Sequence, residues 1–144
     1  MLTIFDKNYI VEGNKITCQL SVKFNKDCGI LNKLSCDVVY EVQRAFCKKY
    51  KNQLKDGFGY GHKSQFEIVG VAKCNQSVDT FDKEKGAKIA LYRALHKLNM
   101  MEMELMNMYS NKTIVDILMK FDRLQEKTRL HILDNDRILN DLKK

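Results

Sequence analysis

The run Ser64-Gln-Phe-Glu-Ile-Val-Gly-Val-Ala-Lys-Cys74 and, after a short polar link, Phe81-Asp-Lys-Glu-Lys-Gly-Ala-Lys-Ile-Ala-Leu-Tyr-Arg-Ala-Leu95 decide the fold. Apolar residues recur at every second position in the first run and at every third or fourth position in the second. This change of period indicates a strand that leads directly into a helix. Because Phe66 and Val69 would lie on opposite faces, the strand is predicted to be central in its sheet.

Two glycines interrupt these elements. Gly70 lies within the predicted strand, where glycine indicates a bulge or a close approach of another backbone. Gly86 lies in the first turns of the predicted helix, where it costs about 1 kcal/mol relative to alanine. A glycine at that position is therefore expected to let the helix pack tightly against a neighbour or a ligand.

The N-terminal part of the chain predicts a hairpin and a helix. Residues 14–24 alternate between apolar and polar, as in a half-buried antiparallel strand. A turn at 12–14 joins this strand to a partner at 8–11, and 1–5 is predicted to be a short edge strand. Ser35 or Asp37 then caps a helix that is expected to reach Tyr50 or Leu54.

The C-terminal part predicts two long helices. An apolar stripe runs from Ala87 to Met108, residues 109–113 are predicted to form a break, and an amphipathic helix of about 30 residues follows. Its stripe contains four polar positions, which in helical assemblies set register and partner number. They are Gln125, Thr128, His131 and Asn135.

The predicted fold is therefore α+β: a small antiparallel sheet packed by one helix and followed by a long C-terminal helical hairpin. Residues 1–108 would form an α+β core domain. Residues 109–144 would form a C-terminal helix for packing or oligomerisation, so a homo-oligomer is expected.

Composition narrows the function classes. The 144 residues carry 25 basic and 18 acidic side chains, and a net charge of +7 spread along the chain attracts polyanions without selecting one. The five cysteines form no C-x-x-C pair and the three histidines are scattered, so we expect neither a metal site nor a disulfide framework, and no cofactor. No run approaches the roughly 20 apolar residues of a membrane span. A cytoplasmic protein without a membrane partner is expected.

The motifs of common enzymes are absent from the sequence. It contains no H-E-x-x-H, P-loop or G-x-G-x-x-G motif and no recognisable triad or carboxylate pair, so no catalytic residues and no enzyme activity are predicted. The segment Gly57-Phe-Gly-Tyr-Gly-His62 follows a helix and precedes a strand, the reverse of a phosphate loop. It is either a flexible connection or a place where Tyr60 stacks on a base beside His62.

The junction between the strand and the helix is the predicted binding site for a small anionic nucleotide. Arg93 would make a bidentate contact with a phosphate or a salt bridge with a carboxylate such as Glu67. Phe81 would either staple the helix to the sheet or stack on a base. The predicted ligand-binding residues are Lys73, Asn75, Phe81, Lys88, Arg93, Tyr60 and His62.

Two alternatives stay open. Direct nucleic-acid binding would use the basic helix before the glycine segment, through Arg44, Lys48, Lys49, Lys51 and Lys55. An inhibitor or adaptor of a host protein or nucleoprotein complex, of anti-CRISPR or anti-restriction type, would use the helical hairpin.

The segment from Gly70 to Ala94 also resembles a pattern in small proteins of phages that infect Firmicutes. The shared pattern is a strand ending G-x-A-x-C, an acidic loop, and F-D-x-x-x-G-x-x-I-A-x-x-R-A opening a helix; many relatives have a proline where this chain has Asn75-Gln-Ser-Val. In size and layout the chain is similar to the Thoeris anti-defence sponge family. That resemblance implies an oligomer in which arginine and aromatic side chains hold a cyclic ADP-ribose-type signal at a subunit boundary. The function it implies is phage counter-defence by sequestering a nucleotide-type immune signal without cleaving it.

Overall fold

A computed structural model describes residues 2–25, 29, 31–55, 60–74 and 82–142. Its elements follow one another as β1 (Leu2–Glu12), β2 (Lys15–Phe24), a 3-10 turn (Leu31–Lys33), α1 (Cys36–Lys49), β3 (Gln65–Lys73) and α2 (Lys83–Leu142). The three strands form an antiparallel sheet, so the predicted α+β class is confirmed. None of the described helices is long and apolar enough to cross a membrane.

The first strand is longer than predicted. The edge strand expected at 1–5 and the partner expected at 8–11 are one strand, β1, whose register shifts between Ile4 and Asp6. This irregularity breaks the alternation of the sequence, which is why the pattern suggested two pieces. The hairpin to β2 turns at Gly13, whose φ of 59° suits glycine.

The sheet order is β1-β2-β3, so β2 is central and β3 lies at an edge. The prediction of a central β3 was wrong. Residues that follow α1 pair with the outer edge of β3. The Lys55 amide donates to the Gln65 carbonyl (2.9 Å), and the Glu67 amide donates to the Gln53 carbonyl (2.7 Å). Phe66 and Ile68 are buried on one face of β3, whereas Val69 and Val71 on the other face are half-buried, so apolar residues on both faces did not identify a central strand.

Helix α1 begins at Ser35, one of the two predicted caps. Ser35 has extended backbone angles and its hydroxyl accepts a hydrogen bond from the Val38 amide (3.3 Å). The helix ends at Lys49, earlier than the latest predicted end at Leu54, because Leu54 instead bridges to Phe66 of β3.

Three phenylalanines join α1 to the sheet. Phe24, Phe46 and Phe66 meet edge to face with ring centroids 5.5–5.9 Å apart, and each side chain is at most 3% exposed. Such pairs add about 0.5–1.5 kcal/mol beyond the burial of their area.

The N-terminal part of α2 packs directly on the sheet through small residues. A Cβ on Gly70 would lie 2.0 Å from the Ala90 carbonyl oxygen and 2.5 Å from the Ala94 nitrogen. At Gly86 a Cβ would lie 2.9 Å from Cδ1 of Ile16. Both glycines therefore serve close packing, which for each of them was one of the two roles that the sequence predicted.

The predicted hairpin is replaced by one continuous helix. The break expected at 109–113 is absent, and α2 runs from Lys83 to Leu142. The segment 110–113 has neither proline nor glycine, and its polar residues reduce helix propensity by well under 1 kcal/mol each. By their contacts the residues divide into two units, Met1–Tyr109 and Ser110–Lys144.

Candidate functional site

Two basic side chains of α2 bind the backbone at the outer edge of β3. Arg93 Nη1 donates to the Val71 carbonyl (2.5 Å), and Lys97 Nζ donates to the Val69 carbonyl (2.6 Å). They lie on one face of the helix because they are four residues apart. These contacts satisfy carbonyls that an edge strand would otherwise leave to solvent or to another strand.

A groove follows this edge. One cavity of about 760 Å³ and a neighbouring one of about 560 Å³ share His96 and Lys97, and together we name them the β3-edge groove. The first part is lined by Tyr50, Asn52, Gln53, Leu54, Lys55, Glu67, Ile68, Val69, His96, Lys97, Met100 and Met101. The second is lined by Val71, Ile89, Tyr92, Arg93, His96 and Lys97.

The groove is electropositive at neutral pH. Its lining contains three basic side chains, Lys55, Arg93 and Lys97, and one carboxylate, Glu67. Lys55 Nζ also donates to the Ser21 hydroxyl (2.9 Å). A lysine ammonium has three donors and an arginine guanidinium five, so each cation keeps donors for an anion in addition to its protein contact.

An aromatic ring stands beside these cations. Tyr92 is 70% exposed and lines the same part of the groove as Arg93. A flat ring next to a guanidinium and an ammonium can bind a base by stacking while the cations bind phosphate.

The structure places the predicted site residues in different regions. Arg93 lies in the β3-edge groove. Lys73 is exposed at the end of β3, and exposed Lys88 pairs with Glu84 (2.8 Å) one turn before it in α2. Asn75 and Phe81 lie outside the described residues.

The two predicted residues from the glycine segment do not line the groove. Tyr60 is 53% exposed. His62 lines a separate cavity of about 510 Å³ together with Tyr40 and Gln43 of α1. The structure therefore does not bring His62 into one cavity with Arg93.

The basic residues of the nucleic-acid alternative also separate. Arg44, Lys48 and Lys51 are exposed at spacings of four and three, whereas Lys55 lies in the groove. Lys49 is bound to Glu104 of α2. The hydrogen bond to that carboxylate raises the pKa of Lys49, so its charge already has a partner.

Sequence reasoning missed His96 and Lys97. The signal was present, because they follow Arg93 by three and four residues and so share its side of the helix. What the sequence lacked was the information that β3 is an edge strand with carbonyls to bind.

Two cysteines of the N-terminal unit are buried. Cys18 and Cys47 are fully buried, and burial raises the pKa of the Cys18 thiol against the opposing effects of Tyr9 and Lys7. The Cys18 thiol is thus protonated at neutral pH and a poor nucleophile. Within the described ranges no group of three histidine, cysteine or acidic side chains could hold a metal ion.

Comparisons of the chain with protein families, with curated proteins and with solved structures find no match. The site therefore has to be interpreted from its own geometry.

Proposed function

We propose that this chain binds a small nucleotide-type anion in the β3-edge groove and retains it without chemical change. The observation that carries the proposal is that Arg93 and Lys97 line one part of a groove that also exposes Tyr92, while Lys55 and Lys97 line the adjoining part. Phosphate oxygens would bind the three cations and the base would stack on the ring. Both parts of the groove fall within the 300–1,000 Å³ that is typical of small-molecule sites.

The biological role that we propose is counter-defence in the cytoplasm of a phage-infected cell, in which the protein sequesters a nucleotide-type immune signal as an oligomeric sponge. The resemblance of the segment from Gly70 to Ala94 to phage proteins supports this role. Among the described residues, Cys18, Cys36 and Cys47 carry free thiols, which are compatible with a reducing compartment.

The test combines thermal protection with recovery of the ligand. A panel of linear and cyclic adenine nucleotides is added, and we expect a concentration-dependent rise in melting temperature with at least one of them. Denaturation should then release that nucleotide with unchanged mass and chromatographic retention. No protection by any anion in the panel would reject the proposal, and a cleaved product would show an enzyme.

Variants locate the site. Arg93→Ala and Lys97→Ala should each reduce the protection relative to the melting temperature of the same variant without ligand, because each removes a phosphate donor. Lys88→Ala is the matched control, since Lys88 is an exposed cation of the same helix that does not line the groove. If the nucleotide raises the melting temperature of all three variants by the same amount, Arg93 and Lys97 do not bind it and the groove is not the binding site.

A second candidate function has its own observation. Arg44, Lys48 and Lys51 form an exposed row on and just after α1, a spacing suited to a phosphate backbone. This function predicts DNA or RNA binding that weakens steeply with salt and is lost when all three are changed to glutamine. A chain that shows neither nucleotide protection nor salt-dependent nucleic-acid binding would favour the inhibitor or adaptor alternative.

A further inference from the structure

The C-terminal unit exposes an unusual amount of apolar surface. Between Ile114 and Leu142, thirteen large apolar side chains are each 47–79% exposed. A helix gains most of its stability in water by packing an apolar face against something else. A contiguous face of this kind marks an interaction surface.

The apolar residues follow a seven-residue repeat. With Phe121 at position a, the a positions are Phe121, Thr128, Asn135 and Leu142, and the d positions are Ile117, Leu124, His131 and Ile138. The adjoining e positions are Leu118, Gln125, Ile132 and Leu139. Five of these eight a and d residues are apolar and three are polar, and a seam that repeats every seven residues over nearly four heptads indicates a coiled coil.

The charges beside the seam select an orientation. The g positions are, in order, Lys120, Lys127, Asp134 and Asp141: two cations followed by two carboxylates. In a parallel pair each g residue would meet an e residue of the other helix, and the e positions carry no charge. In an antiparallel pair g meets g, so each lysine meets an aspartate.

We propose that two copies of this chain pair antiparallel through residues 117–142. In this register Phe121 of one copy packs with Ile138 of the other, Ile117 with Leu142, and Leu118 with Leu139.

The same register places Lys127 opposite Asp134 and Lys120 opposite Asp141. Lys120 also pairs with Asp116 of its own helix (2.8 Å), so the contact of Lys127 with Asp134 is the stronger guide to the orientation. The polar residues fall at the centre, with Thr128 beside His131 and Asn135 beside Leu124, where they fix the register at some loss of stability. The apolar core and the charges at its sides thus agree on one alignment.

The surface available is large enough for a specific complex. Eight apolar side chains per copy lie at a, d or e, and two copies together would bury on the order of 1,000 Å² or more. They are Ile117, Leu118, Phe121, Leu124, Ile132, Ile138, Leu139 and Leu142. The proposal concerns the C-terminal unit and does not depend on the proposed ligand.

The first experiment measures the mass of the full chain by sedimentation or light scattering over a range of concentrations. We expect two copies at high concentration and dissociation on dilution. Leu124→Asp places a charge in the seam and should give a single copy. Leu130→Asp makes the same change at a position outside a, d, e and g, with similar exposure (50% against 60%), and should leave the pair intact. A single copy in the unchanged protein, or equal effects of the two variants, would overturn the proposal.

Charge exchange then tests the orientation without touching the apolar core. Lys127→Asp alone would face Asp134 of the second copy twice in the symmetric pair, and we expect the dissociation constant to rise about tenfold. Adding Asp134→Lys restores opposite charges and should bring the constant back to within about twofold of the original. In a parallel pair Lys127 would face Ile132, so the second change would restore nothing. Failure of the double variant to recover would reject the antiparallel arrangement.

Discussion

Two stretches of helix α2 have similar apolar periodicity, but the apolar residues are buried in one stretch and exposed in the other. From Ala90 to Tyr109, the buried residues of α2 recur every three or four positions and belong to the core of the N-terminal unit. From Ile114 to Leu142 the apolar residues also recur at short helical spacing, yet each large one is about half exposed or more. Periodicity therefore identifies a helix and its apolar face, but it does not identify what covers that face.

The difference in burial between the two stretches is tested most directly by replacing one leucine with alanine in each of them. Leu105 is fully buried and Leu124 is 60% exposed. Leu105→Ala should lower the free energy of unfolding by about 3 kcal/mol through lost burial and a cavity. Leu124→Ala should change it by no more than about 0.5 kcal/mol, provided that urea unfolding is measured at a concentration where the chain is a single copy.

Equal costs at the two positions would mean that Leu124 is buried within the single chain. A cost at Leu124 that grows with protein concentration would instead agree with pairing of two copies.

The close approach of α2 to the sheet gives the next largest effect. Gly70→Ala inserts a methyl group 2.0 Å from a backbone oxygen that cannot swing aside, so α2 must move away from β3. We expect the free energy of unfolding, measured by heat or urea, to fall by about 2 kcal/mol. Gly29→Ala is the matched control, since a Cβ there meets no atom within 4 Å, and should stay within about 0.5 kcal/mol of the original. A neutral Gly70→Ala would show that the helix packs less closely than described.

The sequence predicts local features of this fold better than the neighbours of each element. Alternation in β2 and the Ser35 cap could be predicted because each depends on a few adjacent residues, and close packing at Gly70 was one of two roles that a glycine within a strand indicates. The position of β3 at the edge could not, since apolar residues on both faces of a strand indicate that its faces are covered and not how many strands lie beside it. The prediction of a break between two helices was also wrong, because the weak helix propensity of residues 110–113 is not enough to end a helix.

The candidate site shows the same limit. Arg93 could be chosen from its residue type and place near the strand, but its protein contact is a backbone carbonyl of β3. Lys97 makes the equivalent contact two residues earlier in the strand. Neither contact could be predicted from the sequence. Every residue has a backbone carbonyl, and only the sheet topology shows which carbonyls lie at the outer edge.

The smallest expected effect concerns a buried thiol of the N-terminal unit. Burial raises the pKa of Cys18 above its value in the unfolded chain, so its contribution to stability is fully present below the unfolded pKa of about 8.5. As the pH rises past that value the unfolded chain loses the proton first, and stability falls until the folded pKa is passed. Urea unfolding from about pH 7.5 to about pH 9.5 should show this decline, and Cys18→Ala should make it shallower. Cys36→Ala, which removes an exposed thiol by the same change, is the matched control. Identical slopes in the original chain and in Cys18→Ala would mean that solvent reaches the Cys18 thiol, and the N-terminal unit would then be less tightly closed than its burial indicates.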